Sequence, residues 1–241
     1  MKRIAMWSGP RNLSTALMYA FAARGDVLAW DEPFYACYLR ATGRPHPMAA
    51  EIMAADTRSP EEIAKALRAD PPKGVRYSYQ KHMCQHMIAG VPRDWMADVE
   101  HVFLIRHPDR VLASFGAKYA DVTLDDIGFV QQAEIFDSVV AQQGPPPLVI
   151  DSADIRADPE AMMRALCRGL GLDYRSQMLR WLAGPKPYDG VWAPVWYGAV
   201  HRSTGFAGPE GPLPDLSPDL RRISDAALPC YDHLARFKLQ P

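Results

Sequence analysis

The sequence predicts an α/β fold of three layers, in which helices cover both faces of a central parallel sheet. Short apolar runs typical of buried strands alternate with stretches whose apolar residues recur at helical spacing. Such alternation is typical of βαβ units. The predicted strands are Arg3–Trp7, Val27–Trp30, Val75–Tyr79, Val102–Ile105 and Leu148–Ile150. The predicted helices between them are Leu13–Ala23, Asp109–Lys118, Ile127–Gln142 and Pro159–Leu170.

Three further segments complete the predicted architecture. Ala41–Pro72 is polar and mostly helical in pattern, which predicts an insertion. Residues 184–218 are rich in Gly, Pro and aromatic residues, which predicts a long ordered loop or lid. A closing helix is predicted over Asp219–Leu228. A chain of 241 residues is long enough for one such domain, which we expect to span residues 1–241.

Composition narrows the classes of function. The formal net charge of −1 predicts no bulk attraction to nucleic acid or to a membrane surface. No stretch approaches the roughly 20 apolar residues of a membrane span. The four cysteines are scattered without a C-x-x-C pair, which predicts unpaired thiols, a cytoplasmic location and no zinc site. Oligomeric state is not readable from the sequence.

The first predicted strand runs directly into a segment suited to binding an anion, Gly9-Pro10-Arg11-Asn12-Leu13-Ser14-Thr15. A strand, turn and helix in this order direct unpaired backbone N–H groups and the helix dipole at one point. Ser14 and Thr15 add hydroxyl donors, and Arg11 adds a guanidinium suited to phosphate oxygens. The alternative is a well-capped first helix, with Asn12 or Ser14 as its cap.

The same segment departs from the loop of nucleoside triphosphatases. That loop has the pattern G-x-x-x-x-G-K-[ST], in which the Lys contacts the terminal phosphates and the hydroxyl binds magnesium. At the corresponding spacing after Gly9 this chain has Ser14-Thr15-Ala16. The missing Lys disfavours an ATPase or kinase and leaves a phosphate site that requires no metal.

A second candidate anion site follows the fourth predicted strand, where Arg106 and Pro108 precede a helix that carries Ser114. A triphosphatase would place an Asp at such a strand end to hold magnesium. A cation there predicts a second bound anion. The alternative is that Arg106 pairs with a carboxylate of the protein itself.

Together these stretches resemble the nucleotide-binding motifs of the sulfotransferase superfamily, whose sulfuryl donor is 3′-phosphoadenosine-5′-phosphosulfate (PAPS). Pro10-Arg11-Asn12-Leu13-Ser14-Thr15 is similar to the motif P-[KR]-[ST]-G-[ST]-[ST], which contacts the 5′-phosphosulfate. Arg106 and Ser114 resemble the pair that holds the 3′-phosphate. Leu148–Pro159, with Leu170-Gly171-Leu172 after it, is similar to a later strand and helix of that family. The resemblance implies a P-loop type of fold and is closest to a divergent bacterial branch.

The chain also departs from that family. Asn12 and Leu13 replace the small polar residue and the glycine, and Leu13 restricts a backbone that approaches a phosphate closely. The late R-K-G segment is absent. His201-Arg202-Ser203-Thr204 lies in the corresponding part of the chain and is expected to substitute for it.

The resemblance also implies residues for the chemistry, which is transfer of a sulfuryl group to a hydroxyl or amine of a small molecule. Arg11 and Lys81, the latter at the end of the third predicted strand, are expected to stabilise the leaving oxygen. The candidate bases are Glu32, in an E-P segment after the second strand, and His82 and His86, which follow the third. Alternatively, Glu32 caps a helix and the histidines are surface residues.

Two rival functions stay open at this point: a P-loop kinase-like phosphotransferase with a degenerate loop, and a non-catalytic nucleotide-binding protein that retains the fold. The aromatic residues of 188–197 either line an acceptor pocket or pack the lid onto the core, and packing is the better supported interpretation.

Overall fold

The protein is described by a computed structural model that covers residues 2–117 and 121–241. Its centre is a sheet of five strands, all parallel, in the order β2-β3-β1-β4-β5. The strands are β1 (Lys2–Ser8), β2 (Val27–Asp31), β3 (Tyr77–Met83), β4 (Glu100–Ile105) and β5 (Leu148–Asp151). The α/β fold class predicted from the sequence is therefore confirmed.

Helices surround this sheet along the chain. They are α1 (Ser14–Ala22), α2 (Tyr35–Thr42), α3 (Ala49–Ala55), α4 (Pro60–Arg68), α5 (Pro108–Gly116), α6 (Leu124–Ile127), α7 (Phe129–Gln143), α8 (Ser152–Ala157), α9 (Pro159–Gly169), α10 (Ala193–Trp196), α11 (Gly198–His201) and α12 (Pro218–Ala235). The predicted helix Asp109–Lys118 corresponds to α5, and Lys118 itself lies outside the described residues.

Each face of the sheet is covered by its own set of helices, because alternate side chains of a strand point to opposite faces. Ile4 and Met6 of β1 pack on one face with α1 and α9. Ala5 and Trp7 pack on the other face with α4, α7 and α12. These two clusters make the three layers.

The strand order reverses direction at β1, which has β3 on one side and β4 on the other. The carboxyl ends of neighbouring strands on either side of such a point form a crevice where ligands bind in open α/β sheets. Both candidate anion segments follow strands at this point, since one follows β1 and the other follows β4.

Strand β3 is longer than the prediction of Val75–Tyr79, because it continues through a polar run to Met83. Gln80, Lys81 and His82 are all buried. Each has a partner inside the protein, such as the Leu67 carbonyl, which accepts from Gln80 Nε2 at 3.1 Å. Lys81 and His82 therefore lie within the strand and not after it.

The closing helix is also longer than predicted. Helix α12 passes through Pro229 and ends at Ala235, although proline usually terminates a helix. The last turns are held by tertiary contacts: Leu234 is buried against the sheet, and the Tyr231 hydroxyl donates to Asp151 Oδ2 at 2.7 Å. Packing outweighs the local preference of proline here.

The predicted insertion and lid both contain helices. The insertion holds α3 and α4, and α4 packs against the sheet through Ile63 and Leu67. The lid contains the four-residue helices α10 and α11, followed by irregular chain. Trp192 and Tyr197 of the lid are buried against α2 and α3, which agrees with the packing interpretation of these aromatic residues.

Candidate active site

A cavity of about 1290 Å³ opens at the carboxyl edge of the sheet. Its walls come from the segment after β1, the ends of β2 and β3, helices α2, α5 and α8, and the lid. Residues 10–16, Arg106, Ser114 and residues 202–207 lie on its lining, so the cavity is bounded by both candidate anion segments and by the lid.

The segment after β1 forms a loop shaped for an anion. Arg11 and Leu13 have φ values of 62° and 73°, in the left-handed region. Leu13 is the N-cap of α1 and supplies no side-chain cap to the first turn. The hydroxyls of Ser14 and Thr15 line the cavity and make no hydrogen bond with residues 2–117 or 121–241. The start of α1 therefore presents uncommitted donors to the cavity.

Asn12 and Gly9 fix this loop to the protein. The Asn12 side chain is buried, and its Nδ2 donates to the Leu104 carbonyl at 3.3 Å. A Cβ at Gly9 would lie 2.4 Å from the Ile127 carbonyl oxygen, so only glycine allows this close approach. The side chain of Asn12 thus anchors the loop, and its backbone alone remains to contact an anion, which narrows the prediction for this residue.

The two anion motifs are joined by hydrogen bonds. Arg11 Nε donates to Ser114 Oγ at 2.9 Å, and Arg106 Nη1 donates to the Arg11 carbonyl at 2.6 Å. Burial, together with the charge of Arg106, lowers the pKa of Arg11 from its ordinary value. Two adjacent guanidinium groups favour an anion near them, although Arg106 also has a carboxylate partner within the protein.

A cluster of three arginines surrounds the carboxylate of Glu210, which comes from the irregular end of the lid. Arg106 contacts Glu210 directly, Arg110 Nε lies 2.8 Å from Oε2, and Arg156 Nη1 lies 2.8 Å from Oε1. The Glu210 side chain is 3% exposed. Burial opposes ionisation, but the three guanidinium groups outweigh it and lower the pKa of Glu210. The structure therefore shows the partner carboxylate that was the alternative for Arg106, and an external anion bound by this residue stays a prediction.

A second buried cluster lies on the cavity wall at the ends of β2 and β3. Lys81 Nζ donates to Asp31 Oδ1 at 2.8 Å, to Glu32 Oε1 at 2.6 Å and to the Tyr197 hydroxyl at 2.7 Å. The Tyr197 hydroxyl donates to Asp31 and accepts from Trp192 Nε1 at 2.9 Å. Two carboxylates therefore share one ammonium group in a region with little solvent.

This imbalance sets the acid–base behaviour of Glu32. Burial raises the pKa of Glu32, and Asp31 raises it further, although Lys81 acts in the opposite direction. Burial alone would lower the pKa of Lys81, but the two carboxylates outweigh it and raise that pKa. From the sequence, Lys81 is expected to donate to the leaving oxygen. All three N–H groups of Lys81 are instead used within the protein, and one of them positions Glu32.

The two candidate histidines have different surroundings. His82 points to the sheet face opposite Lys81, where its ring stacks on Trp7 at 4.6 Å and contacts Trp95 at 4.9 Å. Burial lowers the pKa of His82 to about 3. The candidate base His82 does not reach the cavity. Neighbouring residues of a strand point to opposite faces of the sheet, and the cavity lies on the face of Lys81 and Met83.

His86 lies on the cavity lining, as predicted, in a short 3-10 helix (Cys84–His86) after β3. Its ring stacks on Tyr35 at 4.5 Å and on Tyr38 at 4.8 Å. Nδ1 is buried without a hydrogen-bond partner among the described residues. Burial lowers the pKa of His86 well below its ordinary value, so the ring is neutral and weakly basic.

The four residues predicted to replace the R-K-G segment divide into two groups. His201 Nε2 donates to Asp189 Oδ2 at 2.9 Å, which joins two parts of the lid, and His201 does not line the cavity. Arg202, Ser203 and Thr204 do line the cavity. Ser203 accepts from Trp181 Nε1 at 3.1 Å, whereas the Arg202 side chain makes no hydrogen bond or ion pair within the described ranges.

Three residues of the cluster around Glu210 were not predicted from the sequence: Arg110, Arg156 and Glu210 itself. Arg110 lies one helical turn after Arg106, and Arg156 lies one turn after Ser152, which follows β5. Basic residues one turn beyond two neighbouring strand ends are the signal that would have identified these arginines. Glu210 lies 104 residues from Arg106, and no local pattern links the two.

The described residues contain neither a candidate metal-binding group nor a candidate membrane-spanning helix. Among residues 2–117 and 121–241, no group of three His, Cys, Asp or Glu side chains is arranged to hold a metal ion. No helix in the same ranges combines the length and apolar character needed to cross a bilayer.

Comparison with known proteins identifies the family of the chain. A family model described as a sulfotransferase domain matches residues 1–237. Two Arabidopsis thaliana relatives, branched-chain-amino-acid aminotransferase-like proteins 2 and 1, are 37% and 40% identical over 97% and 86% of this chain. The matches span only 41% and 37% of those longer proteins. The sulfotransferase domain of the Synechococcus PCC 7002 olefin synthase has a similar fold, with a TM-score of 0.51 at 16% identity over 94% of each chain.

Proposed function

The chain belongs to the sulfotransferase domain family, and we propose that it transfers a sulfuryl group from PAPS to a hydroxyl or amine of a small molecule. One observation supports this choice of donor above the others. A single cavity is lined by the uncapped start of α1 and, separately, by Arg106 and Arg156 of the arginine cluster around Glu210. PAPS carries two separate anionic groups, which two such sites suit.

The residues present are suited to this donor. The backbone N–H groups at the start of α1 and the hydroxyls of Ser14 and Thr15 would hold the 5′-phosphosulfate. Arg106, with Ser114 nearby, would hold the 3′-phosphate. When bound, the donor supplies an activated sulfuryl group with adenosine 3′,5′-bisphosphate as the leaving group.

Arg11 has the position and charge to stabilise the leaving oxygen. It belongs to the loop itself, and its Nε is oriented by Ser114 Oγ. Because its surroundings are partly desolvated, an interaction with developing negative charge is stronger there than in water. Removing an electrostatic stabiliser of this kind lowers turnover by roughly 10²- to 10³-fold.

Glu32 is the residue that we propose as the base for the acceptor's proton. A carboxylate whose pKa is raised accepts a proton more readily near neutral pH, whereas a histidine whose pKa is lowered accepts it less readily. Burial raises the pKa of Glu32 and lowers the pKa of His86. Lys81 holds the Glu32 carboxylate in place.

The acceptor would enter the part of the cavity next to Glu32. Aromatic side chains of α2 and the lid line this part, among them Tyr35, Tyr38, Trp192 and Trp196. Such walls favour an acceptor with substantial apolar surface. We propose the cytoplasm as the location because all four cysteines are free. The aminotransferase-like description belongs to the longer plant proteins, and we do not extend it to this chain.

The test of this function combines binding and transfer. Adenosine 3′,5′-bisphosphate is expected to raise the melting temperature, since a ligand that binds only the folded state stabilises it, whereas ATP with magnesium is expected to raise it less. Sulfuryl transfer from PAPS is then measured against a panel of phenols, alcohols and amines, for the wild type and for Arg11→Ala. Arg93→Ala, which removes an exposed ion pair with Glu134, is the matched control.

Three outcomes would separate the proposal from its rivals. Preferential stabilisation by ATP with magnesium would favour a kinase-like phosphotransferase. Tight binding of the bisphosphate without transfer to any acceptor would favour a non-catalytic nucleotide-binding protein. Transfer that is equally fast in the wild type and Arg11→Ala would remove Arg11 from the mechanism.

A further inference from the structure

We infer that Arg106, Arg110 and Arg156 form one pocket for a phosphate monoester dianion, and that Glu210 occupies this pocket until such a phosphate displaces it. The inference rests on the proposed function for the identity of the nucleotide. It adds two arginines to the second anion site and assigns to Glu210 a role in controlling access to that site.

The geometry of the pocket suits a larger anion than the one it holds. Three guanidinium groups converge on the two oxygens of one carboxylate, and the contacts to Arg110 and Arg156 are 2.8 Å long. Three positive charges meet a single negative charge, so the cluster retains an excess of positive charge. A phosphate monoester carries about −1.5 to −2 charges at pH 7 and three acceptor oxygens, which matches the cluster better than a carboxylate does.

The same arginines hold the chain on either side of Glu210. Arg156 Nε donates to the Gly208 carbonyl at 2.8 Å, and Arg110 donates to the Gly211 carbonyl. Among the described residues, the hydrogen bonds and ion pairs of segment 207–213 all go to these three arginines. This segment, which we call the strap, has no helix or strand of its own.

These two observations make the phosphate and the strap competitors. A phosphate bound among the guanidiniums and an ionised Glu210 in the same place would repel each other, because both are anions. Glu210 must therefore leave when the phosphate enters. Its departure removes the ion pairs that fasten the strap, so binding of the phosphate and release of the strap are coupled.

The experiment compares two nucleotides that differ only in the 3′-phosphate. Dissociation constants of adenosine 3′,5′-bisphosphate and adenosine 5′-phosphate are measured by calorimetry for the wild type and for Glu210→Gln. The matched control is Glu160→Gln, which removes a carboxylate from the same cavity lining, where it pairs with Arg164 instead of the cluster. The rate at which a protease cleaves the strap is followed in the wild type with each nucleotide.

The expected result is selective for the 3′-phosphate. Glu210→Gln should tighten binding of the bisphosphate by about tenfold or more and change binding of the 5′-phosphate by less than about twofold, because only the former competes with Glu210. Glu160→Gln should change neither by more than about twofold. In the wild type, the bisphosphate should accelerate proteolytic cleavage of the strap, and the 5′-phosphate should not.

Other outcomes overturn the inference. Weaker binding of the bisphosphate by Glu210→Gln would show that Glu210 orders the arginines for their ligand. Equal changes for both nucleotides, or none for either, would show that Glu210 does not compete for the site. Binding of neither nucleotide to any variant would instead reject the proposed donor, and this inference with it.

Discussion

Two buried glutamates line the same cavity in opposite electrostatic surroundings. Glu32 shares the single ammonium group of Lys81 with a second carboxylate, Asp31. Glu210 has three guanidinium groups around one carboxylate. The pKa of Glu32 is raised, mainly by burial, whereas the arginines lower the pKa of Glu210 against the effect of burial.

The comparison shows that burial alone does not decide what a carboxylate does. An excess of negative charge favours the protonated form of Glu32, which suits a group that takes up a proton. An excess of positive charge keeps Glu210 ionised and makes it a stand-in for another anion. The balance of positive and negative charge around each carboxylate therefore suits Glu32 to act as a base and Glu210 to occupy an anion site.

The largest expected effect follows from replacing the first of these carboxylates. Glu32→Gln should lower kcat by roughly 10²- to 10⁴-fold, the range for loss of a general base, and leave affinity for adenosine 3′,5′-bisphosphate unchanged. Initial rates of sulfuryl transfer and calorimetry measure the two quantities, with Glu160→Gln as the control. A variant His86→Gln that loses more activity than Glu32→Gln would transfer the role of base to His86.

The second-largest effect is expected on stability, when the ammonium group of Lys81 is removed. Lys81→Met leaves Asp31 and Glu32 buried without their cation, which is expected to lower the free energy of unfolding by about 3–5 kcal/mol. Arg93→Met, at an exposed pair, should lower it by about 1 kcal/mol or less. Urea denaturation gives both values. If Asp31→Asn fails to offset any of the loss in Lys81→Met, uncompensated charge is not its cause.

The two glutamates should give opposite dependences of stability on pH. The folded-state pKa of Glu32 is raised, so its contribution is fully present below the unfolded pKa and is lost as pH rises through the folded value. The folded-state pKa of Glu210 is lowered, so its contribution is present above the unfolded pKa and is lost as pH falls. Unfolding free energies of the wild type, Glu32→Gln and Glu210→Gln, measured from pH 3 to 8, test this. Parallel curves for the two variants would contradict the comparison.

The smallest effect is expected at a histidine outside both clusters. His82→Phe keeps a ring against Trp7 and Trp95 and loses the 3.3 Å contact with Gln80 Oε1. We expect a stability change of about 1 kcal/mol and no change in kcat beyond about twofold. A fall in kcat without unfolding would return His82 to the list of candidate bases.

Local sequence patterns predicted the parts of the site that depend on neighbouring residues. The strand, turn and helix around Gly9–Thr15 lie where the pattern places them, because their hydrogen bonds are local. The position of Arg106 after β4 is also local. These elements bring the two anion segments to one edge of the sheet, as the alternation of strands and helices indicates.

The pattern was insufficient where partners come from distant parts of the chain. The polar run Gln80–His82 resembled the end of a strand. The partners that allow Lys81 to be buried within β3 are Asp31, Glu32 and Tyr197, which lie 49 to 116 positions away. The pairing of Arg106 with Glu210 spans 104 positions. Buried polar contacts of this kind become visible only once the tertiary structure is known.

The left-handed backbone at Arg11 and Leu13 has a thermodynamic consequence for ligand binding. Non-glycine residues in the left-handed region carry strain of about 1 kcal/mol or more. In this loop the hydrogen bond between Asn12 and the Leu104 carbonyl helps to hold the strained backbone in the folded protein. A glycine-rich loop loses conformational entropy when a phosphate orders it. This loop is already fixed by its own residues, so association at α1 requires little further ordering, whereas the strap must give up its contacts. The entropy of binding should therefore come mainly from the strap and little from the phosphate loop.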